Sequence, residues 1–206
     1  RAALLVTLTC TEVYFLVAVS KLLKYLEETN IKSELQIGFT SRCRTSDHIF
    51  VLRTLIDKYT KFLTKDKYLF VCFVDFKKAF DTVWHDGLLY KLSKYGIDGY
   101  MFRIIQDMYH DSTLQLKFST GLSDNIKIQR GVKQGCVMSP TLFNTFINDL
   151  PEHFNDECHP VSLHDKKISC LLYADDLILL SETEKGLQNC LNILSVYCKE
   201  DRKSVV

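Results

Sequence analysis

Tyr173-Ala174-Asp175-Asp176 stands between two apolar runs, Ile168 to Leu172 and Leu177 to Leu180. Two adjacent carboxylates at the tip of what reads as a tight β-hairpin repel each other unless something positive comes between them. A hard divalent cation, which prefers oxygen ligands, is a common remedy. Asp-Asp also serves as an ordinary solvated turn, because Asp is favoured there. A third carboxylate would change the balance, since paired metals held by carboxylates clamp the attacking and leaving oxygens in phosphoryl transfer. Asp75 is the candidate. Tyr68 to Val74 is an unbroken apolar run suited to a buried strand, and Asp75 ends it. Asp75 and Asp175 are far apart in sequence, so only folding could join them, and antiparallel neighbours in a sheet could place both at one edge.

The elements that must position these groups are legible as periodicities. Ser46 reads as the N-cap of a helix in which Ile49, Leu52, Ile56, Tyr59 and Leu63 recur at helical spacing. Leu88 to Tyr95 reads as a short helix stopped by Gly96, and Asp98 caps the next one through Tyr109. Thr113 to Phe118 and Ile126 to Gln129 alternate like a hairpin around residues 121–125. Ser139 at an N-cap with Pro140 at the first helical position opens a helix. Its buried stripe is Leu142, Phe143, Phe146, Ile147 and Leu150, and Pro151 marks its end. Ser181-x-x-Glu184 is a capping box for a helix carrying Leu187, Leu191, Leu194 and Tyr197. Strands and helices mix without βαβ alternation, so the expected class is α+β with an antiparallel sheet.

The bulk properties permit this. A length of 206 residues suits one domain, or one core with an inserted lobe, and 47% hydrophobic content excludes disorder. A net charge of +1 neither demands nor excludes nucleic acid. The eight cysteines include no CxxC pair, and several lie in apolar runs. They read as reduced, buried thiols of an intracellular protein, cytoplasmic or nuclear. Cys158 and His159, with His153 and His164 nearby, match no zinc spacing. Leu4 to Val19 is apolar but broken by Thr7, Thr9, Thr11 and Glu12, so the expectation is a soluble chain with no membrane partner. Opening on Arg1, the chain reads as part of a longer product.

Three segments resemble a known family. Phe73-Val74-Asp75-Phe76-Lys77-Lys78-Ala79-Phe80-Asp81-Thr82-Val83 resembles the first catalytic motif of reverse transcriptases from non-LTR (LINE-type) retrotransposons. Residues 129–140, from Gln129 to Pro140, followed by Leu142-Phe143-Asn144, look like their second motif, and Tyr173 to Asp176 like their third. The resemblance covers roughly residues 20–200 and implies a right-hand polymerase palm, an antiparallel sheet backed by helices, with a fingers lobe. It places the fingers at about 1–67 and 84–128 and the palm at about 68–83 and 129–200. It implies that Asp75 and Asp175 hold two Mg²⁺ ions, with Mn²⁺ able to substitute. Asp176 would be the third acidic residue, and the carbonyl of Phe76 would complete one metal shell. Phe80 would lie beneath the sugar and exclude a 2′-hydroxyl. Gln134 and Gly135 would contact the incoming nucleotide and template, while Lys77 and Lys78 read as phosphate neighbours or solvated loop. The implied partners are an RNA template, a DNA primer and deoxynucleoside triphosphates.

The chain also departs from the family. Arg1 to Leu5 only blurs the N-terminal finger motif. Thr40-Ser41-Arg42-Cys43-Arg44 stands where a basic residue and a glycine usually follow Gln36-Ile37-Gly38-Phe39. Residues 201–206 read as an aberrant tail in place of the tryptophan and lysine-bearing motif that lead into a thumb. Thumb and endonuclease are expected to be absent, which would leave a chain that folds but polymerises poorly. Two alternatives remain: a catalytically inactive fragment with residual nucleic-acid binding, and an RNA-templated RNA polymerase palm. The second normally carries Gly-Asp-Asp and is disfavoured by a large aromatic at Phe80.

Overall fold

The computed structural model describes residues 10–29, 31–62, 67–119 and 121–200. In chain order they form α1 (Cys10–Glu28), α2 (Thr45–Asp57) with a π-helical turn Lys58–Phe62, and β1 (Phe70–Asp75). A 3₁₀ turn (Ala79–Thr82), α3 (His85–Lys94) and α4 (Gly99–Tyr109) follow. A ribbon of β2 (Thr113–Leu114), β3 (Lys117–Phe118), β4 (Gly121–Leu122) and β5 (Ile126–Lys127) leads to α5 (Ser139–Ile147) and α6 (Leu150–His153). The rest is β6 (Val161–Leu163), β7 (Lys166–Ile168), β8 (Cys170–Tyr173), β9 (Asp176–Ser181) and α7 (Glu184–Glu200). The α+β expectation holds.

The centre is a three-stranded antiparallel sheet in the order β1-β9-β8. Its register fixes its two faces, because side chains alternate along a strand. Cys72, Val74, Leu177, Leu179, Cys170 and Leu172 share one face and join the larger core with Phe143, Phe146, Leu194 and Tyr197. On the other face Leu171 and Leu180 join Leu55, Tyr59, Val161 and Ile168 in a second cluster. α2 and the β6–β7 hairpin thus cover part of one face, and α5 and α7 back the other. Each fully buried Phe or Leu of these layers contributes about 1.5–3 kcal/mol. All of α5 except Pro140 is buried, which its apolar stripe alone does not require.

Several local expectations are corrected. The N-cap of α2 lies two residues before the expected Ser46: it is Arg44, whose N–H donates to Asp47 Oδ2 at 2.7 Å. Its packed stripe is Leu52, Leu55 and Tyr59, whereas Ile49 and Ile56 are exposed; Leu63 lies outside the described residues. β1 is not a buried strand: it stands at the end of the strand order, and Phe73 is 72% exposed. The ribbon reverses between Phe118 and Gly121 rather than at 121–125. Ser139 is inside α5, where its hydroxyl donates to the Lys133 carbonyl at 2.5 Å, and Met138 is the N-cap. Pro151 is the second residue of α6, and α5 already ends at Ile147. The cap of α7 is Thr183, whose Oγ1 accepts from Gly186 N at 2.9 Å; Ser181 Oγ instead donates to the Cys158 carbonyl at 2.8 Å. Cys158, Cys170 and Cys190 are buried free thiols and Cys198 is buried as well, while Cys43, Cys72 and Cys136 are half-buried. Among the described residues no helix is long and apolar enough to cross a membrane.

Candidate active site

The strand register brings two of the three acidic residues together. Asp75 and Asp176 are direct cross-strand partners at one end of the sheet, so both project from the same face. Tyr173 pairs with Asp176, which leaves Ala174 and Asp175 as a two-residue turn. Asp75 and Asp176 are exposed, and Asp175 is half-buried. Like charges directly opposite each other in a sheet destabilise it. Among the described residues no lysine or arginine forms an ion pair with any of the three. No group of three or more His, Cys, Asp or Glu side chains forms a ready metal cage among those residues either. The donor chemistry nevertheless suits a hard cation: cross-strand carboxylates, open to solvent and without an ion-pair partner among the described residues. Phe76 is buried in the large core, which anchors the backbone where β1 ends.

The chain then turns back under this end of the sheet. Lys77 and Lys78 are exposed, and Lys78 takes a left-handed φ of 51° to enter the 3₁₀ turn. Phe80 stacks on buried Phe143 with centroids 4.6 Å apart, and meets Phe39 edge-on at 6.5 Å. It remains half-buried, so one side is held while part of the ring stays open. The 129–136 segment docks against the same turn: Val132 N donates to the Phe80 carbonyl at 2.8 Å, and Gly131 N to the Val83 carbonyl at 2.8 Å. Gly131 has φ 95°, and a Cβ there would press on the Asp81 carbonyl at 3.1 Å. Gln134 Nε2 donates to Asp81 Oδ1 at 2.8 Å, and Gly135, φ 82°, is exposed beside it. Beneath the segment, burial pushes the Tyr109 phenol up to about 12.

Four contributors were not singled out as site residues from sequence. Asp81 holds Gln134. Gln36 is buried, and its amide bonds both backbone groups of Ala174: Nε2 donates to the carbonyl at 3.1 Å, and Oε1 accepts from the N–H at 3.0 Å. A Cβ on Gly38 would overlap the Ala174 nitrogen, so the two backbones touch there. Asn144 Nδ2 donates to the Gly38 carbonyl at 2.5 Å. One signal for this group was available: Ala174 occupies a hairpin position that favours glycine.

The family model described as reverse transcriptase (RNA-dependent DNA polymerase) matches residues 7–205. The chain belongs to the reverse transcriptase family. A Pol polyprotein from the type-1 retrotransposable element R2 of Popillia japonica is 35% identical over 65% of this chain and 22% of its own length. The RNA-directed DNA polymerase from the mobile element jockey of Drosophila funebris is 29% identical over 80% of the chain and 17% of its own. The probable RNA-directed DNA polymerase from transposon BS of Drosophila melanogaster is 30% identical over 84% and 19%. The motif resemblance to non-LTR elements is thereby borne out, and the chain spans about a fifth of the length of these relatives. Among solved structures, telomerase from Candida tropicalis in complex with a fragment of telomeric RNA matches with a TM-score of 0.66. The identity is 16%, over 92% of this chain and 32% of that one. The apo form of telomerase from the same organism gives 0.67 at 15% identity, over 94% and 35%. At that identity the likeness establishes the polymerase fold. The family generally uses divalent metal ions.

Proposed function

We propose that this chain is the nucleotidyl-transfer part of an RNA-directed DNA polymerase, adding deoxynucleotides to a primer 3′-hydroxyl on an RNA template. The observation that carries the proposal is the placement of Asp75 opposite Asp176 with Asp175 in the adjoining turn. In this reading residues 68–83 and 129–200 act as palm and residues 1–67 and 84–128 as fingers.

Asp75, Asp175 and Asp176, with the Phe76 carbonyl, would hold Mg²⁺. When bound, such ions lower the charge between hydroxyl nucleophile and triphosphate and stabilise the leaving oxygen. The protein's own task is positioning, and misplacement by about 1 Å can cost roughly a hundredfold. The sheet end sets the carboxylates, and Phe143 holds the Phe80 ring so that its free side limits space at a sugar C2′. The Asp81–Gln134 bond shapes the glycine-flanked loop on which a nucleotide can rest.

Primer extension tests the proposal, with Mg²⁺ or Mn²⁺, an RNA or DNA template, and Asp175→Asn as the blank. Extension with deoxynucleotides on RNA, lost in the blank, supports it. Extension that survives in the blank, or that prefers ribonucleotides, overturns it.

A further inference from the structure

We infer that Gln36 is a positioning residue that clamps the Ala174–Asp175 turn and so sets where the carboxylates stand. The inference rests on the function proposed above and on a feature of the turn itself. Ala174 has φ 54°, while Asp175 is not in the positive-φ region. That pattern is the type II′ turn, whose first central position favours glycine. A residue with a Cβ is strained there and stays only if its surroundings hold it.

Gln36 supplies that hold. Its two ends are assigned without ambiguity by their partners: one faces a carbonyl, which only accepts, and the other faces two N–H groups, which only donate. Nε2 donates to the Ala174 carbonyl, and Oε1 accepts from both Ala174 N and Gly38 N, at 3.1, 3.0 and 2.9 Å. The residue is 1% exposed, so water cannot replace these bonds cheaply.

The clamp is itself anchored. Ile37 N donates to the Leu172 carbonyl, and Leu172 N to the Leu35 carbonyl, at 3.0 and 2.9 Å, so the 35–37 segment runs beside β8. Asn148 receives Ser33 N and donates to the Ile31 carbonyl, both at 2.8 Å. One helical turn earlier, Asn144 holds the Gly38 carbonyl, and in doing so leaves its own buried Oδ1 without a partner. The next residue, Phe39, meets Phe80. One short segment therefore ties α5 to both the acidic turn and the candidate sugar gate.

The test uses the 206-residue chain, Gln36→Leu and Gln36→Glu, with amide exchange at Ala174 read by NMR and Mn²⁺ binding read by electron paramagnetic resonance. In Q36L, Ala174 should exchange at least about tenfold faster, since each lost hydrogen bond is worth close to a factor of five. Leu194 in α7 should keep its protection, and Mn²⁺ affinity should fall at least about fivefold. Q36E retains the acceptor, and its carboxyl regains a donor only when protonated, so its Ala174 protection should be partial at neutral pH and recover on acidification. This second variant decides the matter if Q36L does not fold. Unchanged Ala174 protection, an equal loss at Leu194, or faster exchange with unchanged Mn²⁺ affinity would each overturn the inference. Asp175→Asn separates the two readings. If it binds Mn²⁺ as the parent does, the metal reading has failed, and the exchange and its pH dependence still judge the clamp.

Discussion

Replacing Lys91 by methionine should remove a large share of this domain's stability. Lys91 lies on the buried stripe of α3 beside Leu88 and Leu92, where a lysine is rare unless paired. Its Nζ donates to the Phe146 carbonyl at 2.8 Å, to Asp149 Oδ1 at 2.9 Å and to Tyr197 OH at 3.0 Å. Tyr197 OH in turn donates to Asp149 Oδ1 at 2.8 Å, so one cation joins α3, the end of α5 and α7. The lysine and aspartate side chains are 8% and 12% exposed. Lys91→Met keeps the stem's volume but strands a buried carboxylate with a single neutral donor. Breaking such a pair costs about 3–5 kcal/mol, against a total of roughly 5–15 kcal/mol for a domain. Urea unfolding measures the loss. Lys91→Met combined with Asp149→Leu should recover much of it, because no charge is then stranded and Tyr197 OH can still reach the Phe146 carbonyl, 3.4 Å away. A loss below about 1 kcal/mol in the single variant would refute the reasoning. So would a double variant that loses the sum of its parts.

Other outcomes follow from the same structure. Phe80→Val removes the ring supported by Phe143 and should raise incorporation of ribonucleotides relative to deoxynucleotides; an unchanged ratio returns Phe80 to the ordinary core. Cys170 is wholly buried, and burial pushes its thiol from 9.0 up to about 12. Its folded value is raised, so its contribution is complete below pH 9 and fades as the pH climbs towards 12, by up to about 1.4 kcal/mol per pH unit. The stability difference between the parent and Cys170→Ala should shrink accordingly between pH 9 and 11, and a constant difference would count against it. Leu172→Ala empties a fully buried site where β8 packs on the large core and should cost about 2–5 kcal/mol by denaturant unfolding.

The sequence carried the acidic hairpin and its strand partner because their signals are local: two apolar runs around a turn, and one run ending at Asp75. The α5 stripe was equally plain, since Leu142, Phe143, Phe146 and Ile147 fall at helical spacing. What periodicity could not show was which face of each element is covered. Tyr68 to Val74 is apolar throughout, yet Phe73 faces outward because α2 and the β6–β7 hairpin cover only part of that sheet face. Ser139 and Ser181 looked like caps, but tertiary carbonyls of Lys133 and Cys158 took their hydroxyls. The Gln36 contacts join residues 138 positions apart, so nothing in local spacing predicts them. Ala174 was the one local sign, an ill-suited residue in a tight turn that something else had to hold.

The most direct test of the account is Mn²⁺ titration of the 206-residue chain, followed by electron paramagnetic resonance. The parent should bind Mn²⁺ in competition with Mg²⁺. Asp75→Asn and Asp176→Asn, which touch opposite strands of one register pair, should each weaken that binding by about tenfold or more, the scale of a lost metal ligand or its orienting partner. Equal affinity in the parent and both variants would contradict a metal site at the end of the sheet.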